Sequence, residues 1–177
     1  MIQYVALLRG INVGGKRKLL MKDLKQLFIK LGFRNIITYI QSGNVIFEYK
    51  ATSNSTLETS ISEAISEQFD YDVPVIVRNK KEWNGLTQSN PFIREDINKL
   101  HLILLQDSPP QESISMLNKM KSPNDQFVIG NQHIYLLCHG PFHKTKFTNT
   151  SIEKHLKLSA TTRNWKTISK INGLMSK

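Results

Sequence analysis

The order of apolar patterns in the first 78 residues restricts the fold of this chain more than any other feature. Apolar runs rich in β-branched residues predict four strands, and two apolar stripes at helical spacing predict two helices. Their order, β-α-β-β-α-β, is typical of a ferredoxin-like fold, an antiparallel sheet with both helices on one face. The predicted elements are strand 2–8, helix 21–31, strand 35–40, strand 45–49, helix 55–69 and strand 73–78.

The second half of the chain begins the same order of patterns again. A strong strand at 100–105 precedes a helix expected to start at Ser108-Pro109-Pro110-Gln111, because proline suits the first helical position and Ser with Gln is a capping pair. Strands at 126–129 and 133–138 join at Gly130-Asn131, which echoes Gly43-Asn44. These patterns predict a degenerate repeat of structure, with little repetition of sequence.

Together the two halves predict an α+β fold with two subdomains in tandem. The first is ferredoxin-like (βαββαβ) with an antiparallel sheet, and the second is a degenerate βαββ repeat followed by basic C-terminal helices. We place the first subdomain at residues 1–79, a helical connection at 80–98 and the second subdomain at 99–177.

Helix starts are predicted from polar pairs three residues apart. In a capping box, the first side chain accepts a backbone N–H and the second reaches back to the N–H of the cap residue. The expected pairs are Ser55 with Glu58, Asn79 with Glu82 and Thr150 with Glu153, and Thr162 is the expected cap of the final helix.

Charge is distributed unevenly along the chain. The formal net charge is +10, yet residues 9–34 carry +7, residues 139–177 carry another +7, and the remainder carries −4. Two basic segments far apart in sequence could form one face that attracts nucleic acid, a nucleotide or another anion. The alternative is a basic protein whose lysines are simply solvated.

Composition narrows the class of protein. With 177 residues, 40% of them hydrophobic and 21% charged, the chain can bury a core and is not a disordered composition. No apolar run approaches the roughly 20 residues of a membrane-spanning helix, and the N-terminus lacks the features of a signal peptide. We expect a cytoplasmic protein with no membrane partner. The sequence leaves its oligomeric state open.

A glycine-rich basic stretch, Arg9–Lys18, follows the first strand and is the leading candidate for a binding site. Residues 10–16 match the phosphate-loop pattern G-x-x-x-x-G-K, but Arg17 replaces the Ser/Thr metal ligand and the predicted sheet is antiparallel, so nucleotide hydrolysis is disfavoured. The alternatives are a structural turn and a site that holds one phosphate or carboxylate. The residues of such a site are Arg9, Asn12, Gly14, Gly15, Lys16 and Arg17, with Lys18 on a nucleic-acid face.

The turn Gln41-Ser42-Gly43-Asn44 joins the second and third predicted strands. Hairpin geometry by itself accounts for Gly43 and Asn44. We expect the end of the first strand and the start of the third to lie at opposite ends of the central strand pair. On that expectation, no contact between this turn and the glycine-rich stretch is required.

The second basic segment mixes cations with aromatic residues, a composition typical of nucleic-acid surfaces. The alternative is that the aromatics belong to the core, and Trp165 favours it because Trp165 is in helical phase with Ile168. The expected anion ligands are Lys146, Arg163 and Asn164, and the expected nucleic-acid face comprises Lys144, Trp165 and Lys166.

Metal and catalytic patterns are weak. Cys138, His139 and His143 offer one thiolate and no second cluster, which fits no structural zinc pattern, so we expect no metal and no cofactor. The single cysteine cannot form an intrachain disulfide and is expected to be a packed strand residue. No marked nucleophile or carboxylate pair indicates a reaction, and the sequence leaves open whether the protein is an enzyme.

Several stretches resemble a bacterial family of uncharacterised cytoplasmic proteins, known as a domain of unknown function. They are Ala6-Leu-Leu-Arg-Gly-Ile-Asn-Val-Gly-Gly15, Gln41-Ser-Gly-Asn-Val45, and the tail stretches 146–149, 152–156 and 162–165. The resemblance implies two α+β subdomains, the first ferredoxin-like, and no established activity. Thr145 stands where the family usually has serine, and it keeps the hydroxyl. The resemblance draws attention to Arg9, Asn12, Lys146, Arg163 and Asn164.

The two basic segments favour a non-catalytic binder of nucleic acid or another polyanion. The alternative is an enzyme or sensor for a small phosphorylated or carboxylated metabolite, held between the glycine-rich stretch and the tail residues Lys146, Arg163 and Asn164. A third alternative is a module that binds a partner protein through a free sheet edge.

Overall fold

The structure is a computed structural model that describes residues 1–120 and 122–176. Its contacts define two units. Unit 1 comprises residues 1–86 together with the end of the chain from Ile171, and unit 2 comprises residues 87–170.

From the N-terminus to Gln88, the elements follow the order βαββαβα. The apolar stripes on α1 and α2 appear where helical spacing predicts them, and each strand lies within a residue or two of its predicted bounds. The elements are β1 (Ile2–Leu8), α1 (Met21–Lys30), β2 (Arg34–Tyr39), β3 (Asn44–Tyr49), α2 (Asn54–Phe69), β4 (Val75–Asn79) and α3 (Lys80–Gln88).

The sheet of unit 1 has the strand order β2-β3-β1-β4, and every neighbouring pair is antiparallel. This is the order of a ferredoxin-like sheet, so the predicted fold class is confirmed. The register sets Leu7 opposite Asn44 and Leu8 opposite Val75. The end of β1 therefore lies beside the starts of β3 and β4, at the edge of the sheet where the glycine-rich stretch begins.

Helices α1 and α2 pack apolar side chains against the inner face of the sheet to form the core of unit 1. Leu24, Leu27 and Phe28 of α1 are buried against the sheet, as are Leu57 and Ile61 of α2. Burying each such side chain stabilises the fold by about 1.5–3 kcal/mol. Aromatic rings add specific contacts, since the Phe33 and Phe47 ring centroids lie 4.4 Å apart.

From Leu100 to Met175, the order βαββαβα occurs a second time. The sheet order is β6-β7-β5-β8, which matches unit 1 strand for strand, and all pairs are antiparallel. The elements are β5 (Leu100–Leu105), α4 (Gln111–Asn118), β6 (Asp125–Ile129), β7 (His133–Cys138), α5 (Asn149–Leu156), β8 (Ala160–Asn164) and α6 (Trp165–Met175).

The repeat is more complete than the sequence predicts, because Ala160–Asn164 is a strand paired with β5. Thr162 is therefore not the cap of the final helix. That role belongs to Asn164, whose Oδ1 accepts the Thr167 N–H at 2.8 Å. The equivalent residue of unit 1 is Asn79, which accepts the Glu82 N–H at 2.9 Å, as predicted.

The helix caps also show a sequence repeat that the predictions missed. Ser53 and Thr148 cap α2 and α5 by accepting the Thr56 and Ser151 N–H groups, so the predicted caps Ser55 and Thr150 are wrong. From the two caps, the segments Ser-Asn-Ser-Thr-Leu-Glu and Thr-Asn-Thr-Ser-Ile-Glu agree in residue type at every position. The prediction of little sequence repetition is wrong at this place.

The start of α4 also differs from the prediction. The helix begins at Gln111 and Pro110 occupies the cap position, where it has no side-chain hydrogen bond to offer. Ser108, the predicted cap, donates from its hydroxyl to Asn131 Oδ1 at 2.8 Å instead. Ser108 thus links the loop after β5 to the β6–β7 turn.

Within residues 1–120 and 122–176, no helix has both the length and the apolar character needed to cross a membrane.

Candidate functional site

The connection between β1 and α1, Arg9–Leu20, is the site the sequence singles out, and we refer to it as the basic loop. It contains four cations and no acid. The corresponding connection of unit 2, Gln106–Pro110, is less than half as long and contains one acid and no cation. The basic loop is therefore an addition to a structural frame that closes without it in unit 2.

The same backbone hydrogen bonds close the two connections at their base. In each unit, the last residue of the first strand donates to the turn between the second and third strands, and the next residue donates to the residue before the fourth strand. The bonds are Leu8 N–H to Gly43 O and Arg9 N–H to Pro74 O in unit 1, and Leu105 N–H to Gln132 O and Gln106 N–H to Ser159 O in unit 2.

The tip of the basic loop is a two-residue hairpin. The Lys16 N–H donates to Val13 O and the Asn12 N–H donates to Arg17 O, both at 3.1 Å. Gly14 and Gly15 between them have φ angles of 58° and 74°. Two successive left-handed residues make a type I′ turn, for which glycine is favoured. A Cβ at either glycine would meet nothing within 4 Å, so the tip is open to an approaching ligand.

The Asn12 side chain holds this hairpin in place. Its Oδ1 accepts the Leu19 N–H at 2.8 Å, while its Nδ2 donates to Leu19 O and to Gln41 O, each at 2.9 Å. Both polar atoms of the amide therefore have backbone partners, which accounts for an asparagine here without a ligand. The bond to Gln41 joins the basic loop to the β2–β3 turn.

The expectation that this turn and the basic loop lie at opposite ends of the sheet is wrong. Because β1 and β3 are antiparallel neighbours, the end of one lies beside the start of the other. Ile11 of the loop packs on the turn so closely that a Cβ at Gly43 would lie 2.7 Å from Ile11 Cδ1 and 2.8 Å from Leu8 Cβ. Gly43, with a φ of 78°, is thus required by space as well as by turn geometry.

The cations of the basic loop differ in their setting. Lys16 and Lys18 are exposed, and so is Val13, the residue that follows Asn12. Arg17 is half-buried, and its guanidinium lies against the backbone of Gly10, since a Cβ there would be 3.5 Å from Arg17 Nη1. Arg9 is also half-buried. The loop therefore presents two exposed ammonium groups at its surface and has one guanidinium near its backbone.

A phosphate-binding loop of the nucleotide-hydrolase kind is not present. In that motif, the loop leads directly into a helix whose first N–H groups hold the phosphate. Here the hairpin intervenes, and α1 begins only at Met21, after Leu20. The sheet is antiparallel, as predicted.

The second basic segment begins with another addition to the repeated frame. The connection between β7 and α5, His139–Thr148, is more than twice as long as its counterpart Lys50–Ser53. The Thr145 hydroxyl fixes it, because Oγ1 donates to Asp125 Oδ2 at 2.8 Å and accepts the Phe147 N–H at 3.1 Å. A serine hydroxyl would serve equally. Lys144 and Lys146 are exposed on either side of this anchor.

Of the four predicted site residues on β8 and α6, two are buried and two are exposed. Arg163 is 8% exposed, and its Nη1 donates to Thr161 Oγ1 and Thr162 O at 2.8 and 3.0 Å. Asn164 is exposed but caps α6. Trp165 is only 4% exposed, so its assignment to a nucleic-acid face is wrong and the core interpretation holds. Lys166 is exposed.

The buried cysteine lacks the chemistry of a nucleophile. Burial, with the nearby Asp125 carboxylate, raises the pKa of the Cys138 thiol to about 12, which keeps it protonated at neutral pH. His101 stacks on Phe142 with ring centroids 4.4 Å apart, and burial lowers its pKa. Across the described part of the chain, no three His, Cys, Asp or Glu side chains come together as metal ligands would.

A buried ion pair in unit 1 was missed by the sequence predictions. The Glu58 Oε1 lies 3.7 Å from Arg78 Nη1 and accepts the Val77 N–H of the edge strand β4 at 2.8 Å. Burial lowers the pKa of Arg78, and the Glu58 carboxylate opposes that effect. The equivalent carboxylate, Glu153 of α5, accepts the Ala160 N–H at 3.0 Å on the edge strand β8. Both glutamates therefore cover a sheet edge instead of completing the predicted capping boxes.

Comparison with known proteins fits this architecture. A family model described as a protein of unknown function (DUF1697) matches residues 1–135. The chain belongs to this family. A solved structure of a conserved bacterial protein, SP0830 from Streptococcus pneumoniae, superposes with a TM-score of 0.78 at 20% identity and covers 97% of each chain. That likeness shows the fold alone. No curated protein matches the chain.

Proposed function

We propose that this protein is a non-catalytic binder of nucleic acid, or of a similar polyanion, through the basic loop. One observation supports the proposal above the others. The loop is an addition to the repeated frame, it carries four cations without an acid, and its hairpin tip is exposed. Functional residues concentrate on loops that a rigid scaffold positions.

The shape of the loop suits a phosphate backbone. Lys16 and Lys18 lie on the surface next to a tip without side chains, so a phosphate can approach both their ammonium groups and the glycine backbone. The Asn12 bonds fix the loop before binding, which lowers the entropy cost of ordering it on a ligand. Neutralising phosphates with these cations would release counterions and favour association at low salt.

The test is oligonucleotide binding followed by fluorescence anisotropy at several salt concentrations. For short single-stranded and duplex oligonucleotides, log K should fall by about 0.7–0.9 per phosphate contact as log[salt] rises. The double variant Lys16→Ala/Lys18→Ala should bind more weakly and reduce that slope by about 1.4–1.8. Binding that is undetectable at low salt would refute the proposal.

A matched variant separates the loop from overall charge. Lys81 and Lys119 are exposed lysines outside the basic loop, so Lys81→Ala/Lys119→Ala removes the same charge. We expect this variant to bind as the unchanged protein does. Equal losses in both double variants would mean that net charge, and not the loop, drives binding. The contribution predicted for Lys144, Lys146 and Lys166 is tested in the same assay by Lys144→Ala/Lys146→Ala and Lys166→Ala.

The Arg17 guanidinium supports a second candidate, a sensor or enzyme for a small phosphorylated or carboxylated metabolite at the same loop. The guanidinium is half-buried and lies against Gly10, so a cation and the loop backbone are close enough to share one anionic group. A thermal-shift screen of nucleotides and metabolites tests it, because a ligand at 100 times its Kd stabilises by about 2.7 kcal/mol. Arg17→Ala should abolish a genuine shift, and Lys119→Ala should leave it. A shift that survives Arg17→Ala would place the ligand elsewhere.

A further inference from the structure

Independently of the basic loop, unit 1 has an open groove beside the edge strand β2. Its volume is about 480 Å³, and it is lined by Lys25, Ile29, Phe33, Asn35, Ile36 and Ile37. Two of these apolar side chains are unusually exposed, Ile29 at 48% and Ile37 at 40%. Exposed apolar surface gathered in a groove, rather than scattered, indicates a binding surface.

The groove follows the edge of the sheet. Successive strand residues point to opposite faces, so a groove that contacts both Ile36 and Ile37 must lie along the strand edge between the faces. β2 pairs with β3 on one side and is the outermost strand of its sheet. The opposite wall of the groove comes from α1, where Lys25 and Ile29 are four residues apart and share one helix face.

The strand next to the groove is irregular in its first half and regular in its second. Asn35 and Ile36 together oppose Phe47 alone, which makes a β-bulge, whereas Ile37, Thr38 and Tyr39 pair in step with β3. The bulge bends the start of the strand, and the regular part from Ile37 to Tyr39 is the length over which an added strand could pair.

We propose that this groove binds an acidic peptide in an extended conformation, which adds a strand along β2. Such peptides gain affinity from main-chain hydrogen bonds at the edge and specificity from alternate side chains in apolar contacts, here with Ile29 and Ile37. Charge selects the partner. Lys25 lines the groove, and Lys22 and Arg34 are exposed three residues before Lys25 and one residue before Asn35. The acid of β3, Glu48, is the cross-strand partner of Arg34 and accepts a hydrogen bond from Asn35 at 2.8 Å, so cations outnumber acids here.

The same charges disfavour a second copy of this chain as the occupant. A copy would bring its own Lys25 and Arg34 to the groove, and two chains of net charge +10 repel one another. A partner segment of alternating acidic and apolar residues removes that conflict, because its acids face the cations while its apolar side chains cover Ile29 and Ile37.

The experiment uses the isotope-labelled full chain and two synthetic peptides of about six residues, the usual length of a strand. One peptide alternates Glu with Val and the other alternates Lys with Val. We expect the Glu-Val peptide to shift the backbone amide signals of residues 35–39 and of Ile29, and the Lys-Val peptide at the same concentration to leave them unchanged. Equal shifts with both peptides, or shifts confined to residues 9–20, would overturn the proposal.

Variants on exposed positions of α1 make the test specific. Lys25→Glu should weaken binding of the Glu-Val peptide about fivefold, since one exposed ion pair is replaced by a repulsion. Lys81→Glu, with the same charge change on α3, should not. Ile29→Ser should also weaken binding. Because the Ile29 side chain is about half exposed, we expect this variant to fold. Signals of residues 35–39 that move with protein concentration alone would assign the groove to self-association and refute the acidic partner.

Discussion

Unit 1 and unit 2 close their sheets with equivalent hydrogen bonds, yet they differ in the two connections that carry basic residues. Arg9–Leu20 and His139–Thr148 are each more than twice as long as the corresponding connection of the other unit. Neither contains an acid, and together they hold six Lys and Arg residues. In the other unit a shorter segment closes the same frame at each of these places. Cations placed on such added segments favour a binding role over a purely structural one.

The sheet edges show a shared feature and a second difference. In both units a glutamate five residues after the helix cap accepts a backbone N–H of the outermost strand. In unit 1 this carboxylate also lies 3.7 Å from a buried arginine. One helix position therefore satisfies a free strand edge in both units, and in unit 1 it neutralises an interior charge as well.

The largest predicted effect on stability comes from removing the Glu58 carboxylate. Glu58→Gln should destabilise the protein by about 3–5 kcal/mol, because buried Arg78 would lose the carboxylate that acts on it most strongly and keep only the weaker effect of Glu82. Urea unfolding followed by circular dichroism measures the change. The control is Glu63→Gln on the exposed face of the same helix, for which we expect less than about 0.5 kcal/mol. A loss below about 1 kcal/mol for Glu58→Gln would show that Arg78 is compensated in another way.

The next effect compares the two hairpin turns. Gly43→Ala should cost about 3 kcal/mol, from a left-handed φ and from overlap with Leu8 and Ile11. Gly130→Ala in the corresponding turn should cost less, about 1 kcal/mol, since Gly130 does not have a positive φ and its Cβ would overlap only the half-exposed His133 ring, which can turn away, whereas Gly43 faces core side chains. Thermal unfolding of both variants gives the ranking, and equal shifts would contradict it.

A smaller effect compares the links between loop and turn. Asn12→Ala removes three hydrogen bonds, two of them internal to the basic loop, and should cost about 2 kcal/mol. Asn131→Ala removes the exposed link from Ser108 in unit 2 and should cost about 0.5 kcal/mol. Hydrogen exchange should also quicken at residues 12–19 in Asn12→Ala. Unchanged exchange there would mean that the loop is held by other contacts.

The smallest effect tests which hydroxyl caps each helix. Ser53→Ala and Thr148→Ala should each cost about 1 kcal/mol, the usual value of an N-cap. Ser55→Ala and Thr150→Ala should each lie within about 0.5 kcal/mol of the unchanged protein. Melting temperatures are sufficient, because about 1 kcal/mol corresponds to roughly 2–4 °C at this size. Reversal of the order within either pair would restore the capping boxes predicted from sequence.

Periodicity was sufficient for most of the fold. The sequence predicts elements whose buried residues follow the apolar spacing. Examples are the strand Leu100–Leu105 and the helical stripe Leu24, Leu27 and Phe28. β8 is different. Ala-Thr-Thr-Arg-Asn has no apolar alternation, and its burial includes the guanidinium of Arg163. Local sequence cannot predict that a strand places an arginine in the interior.

The location of the candidate site could be predicted from the sequence, but the hydrogen bonds that hold the basic loop in place could not. Glycines and cations marked the basic loop, but the bond from Asn12 to Gln41 depends on two segments meeting in space. Similarly, Glu58 stands three residues after a serine and imitates a capping box, while its real partners lie on β4. One signal was available and unused, the match of Ser53–Glu58 with Thr148–Glu153, which aligns the two units and so indicates a fourth strand in the second.

The hairpin of the basic loop also affects how readily proteases cleave the protein. Lys16, Arg17 and Lys18 form a row of trypsin sites on an exposed segment, which is where nicking normally occurs. A protease, however, must draw its substrate into an extended strand. The Asn12 side-chain amide, before the three basic residues, is hydrogen-bonded to the backbone of Leu19, after them. The segment therefore cannot become extended without breaking those bonds. Cutting at this place therefore reports on opening of the loop, and a ligand seated on it should slow digestion further.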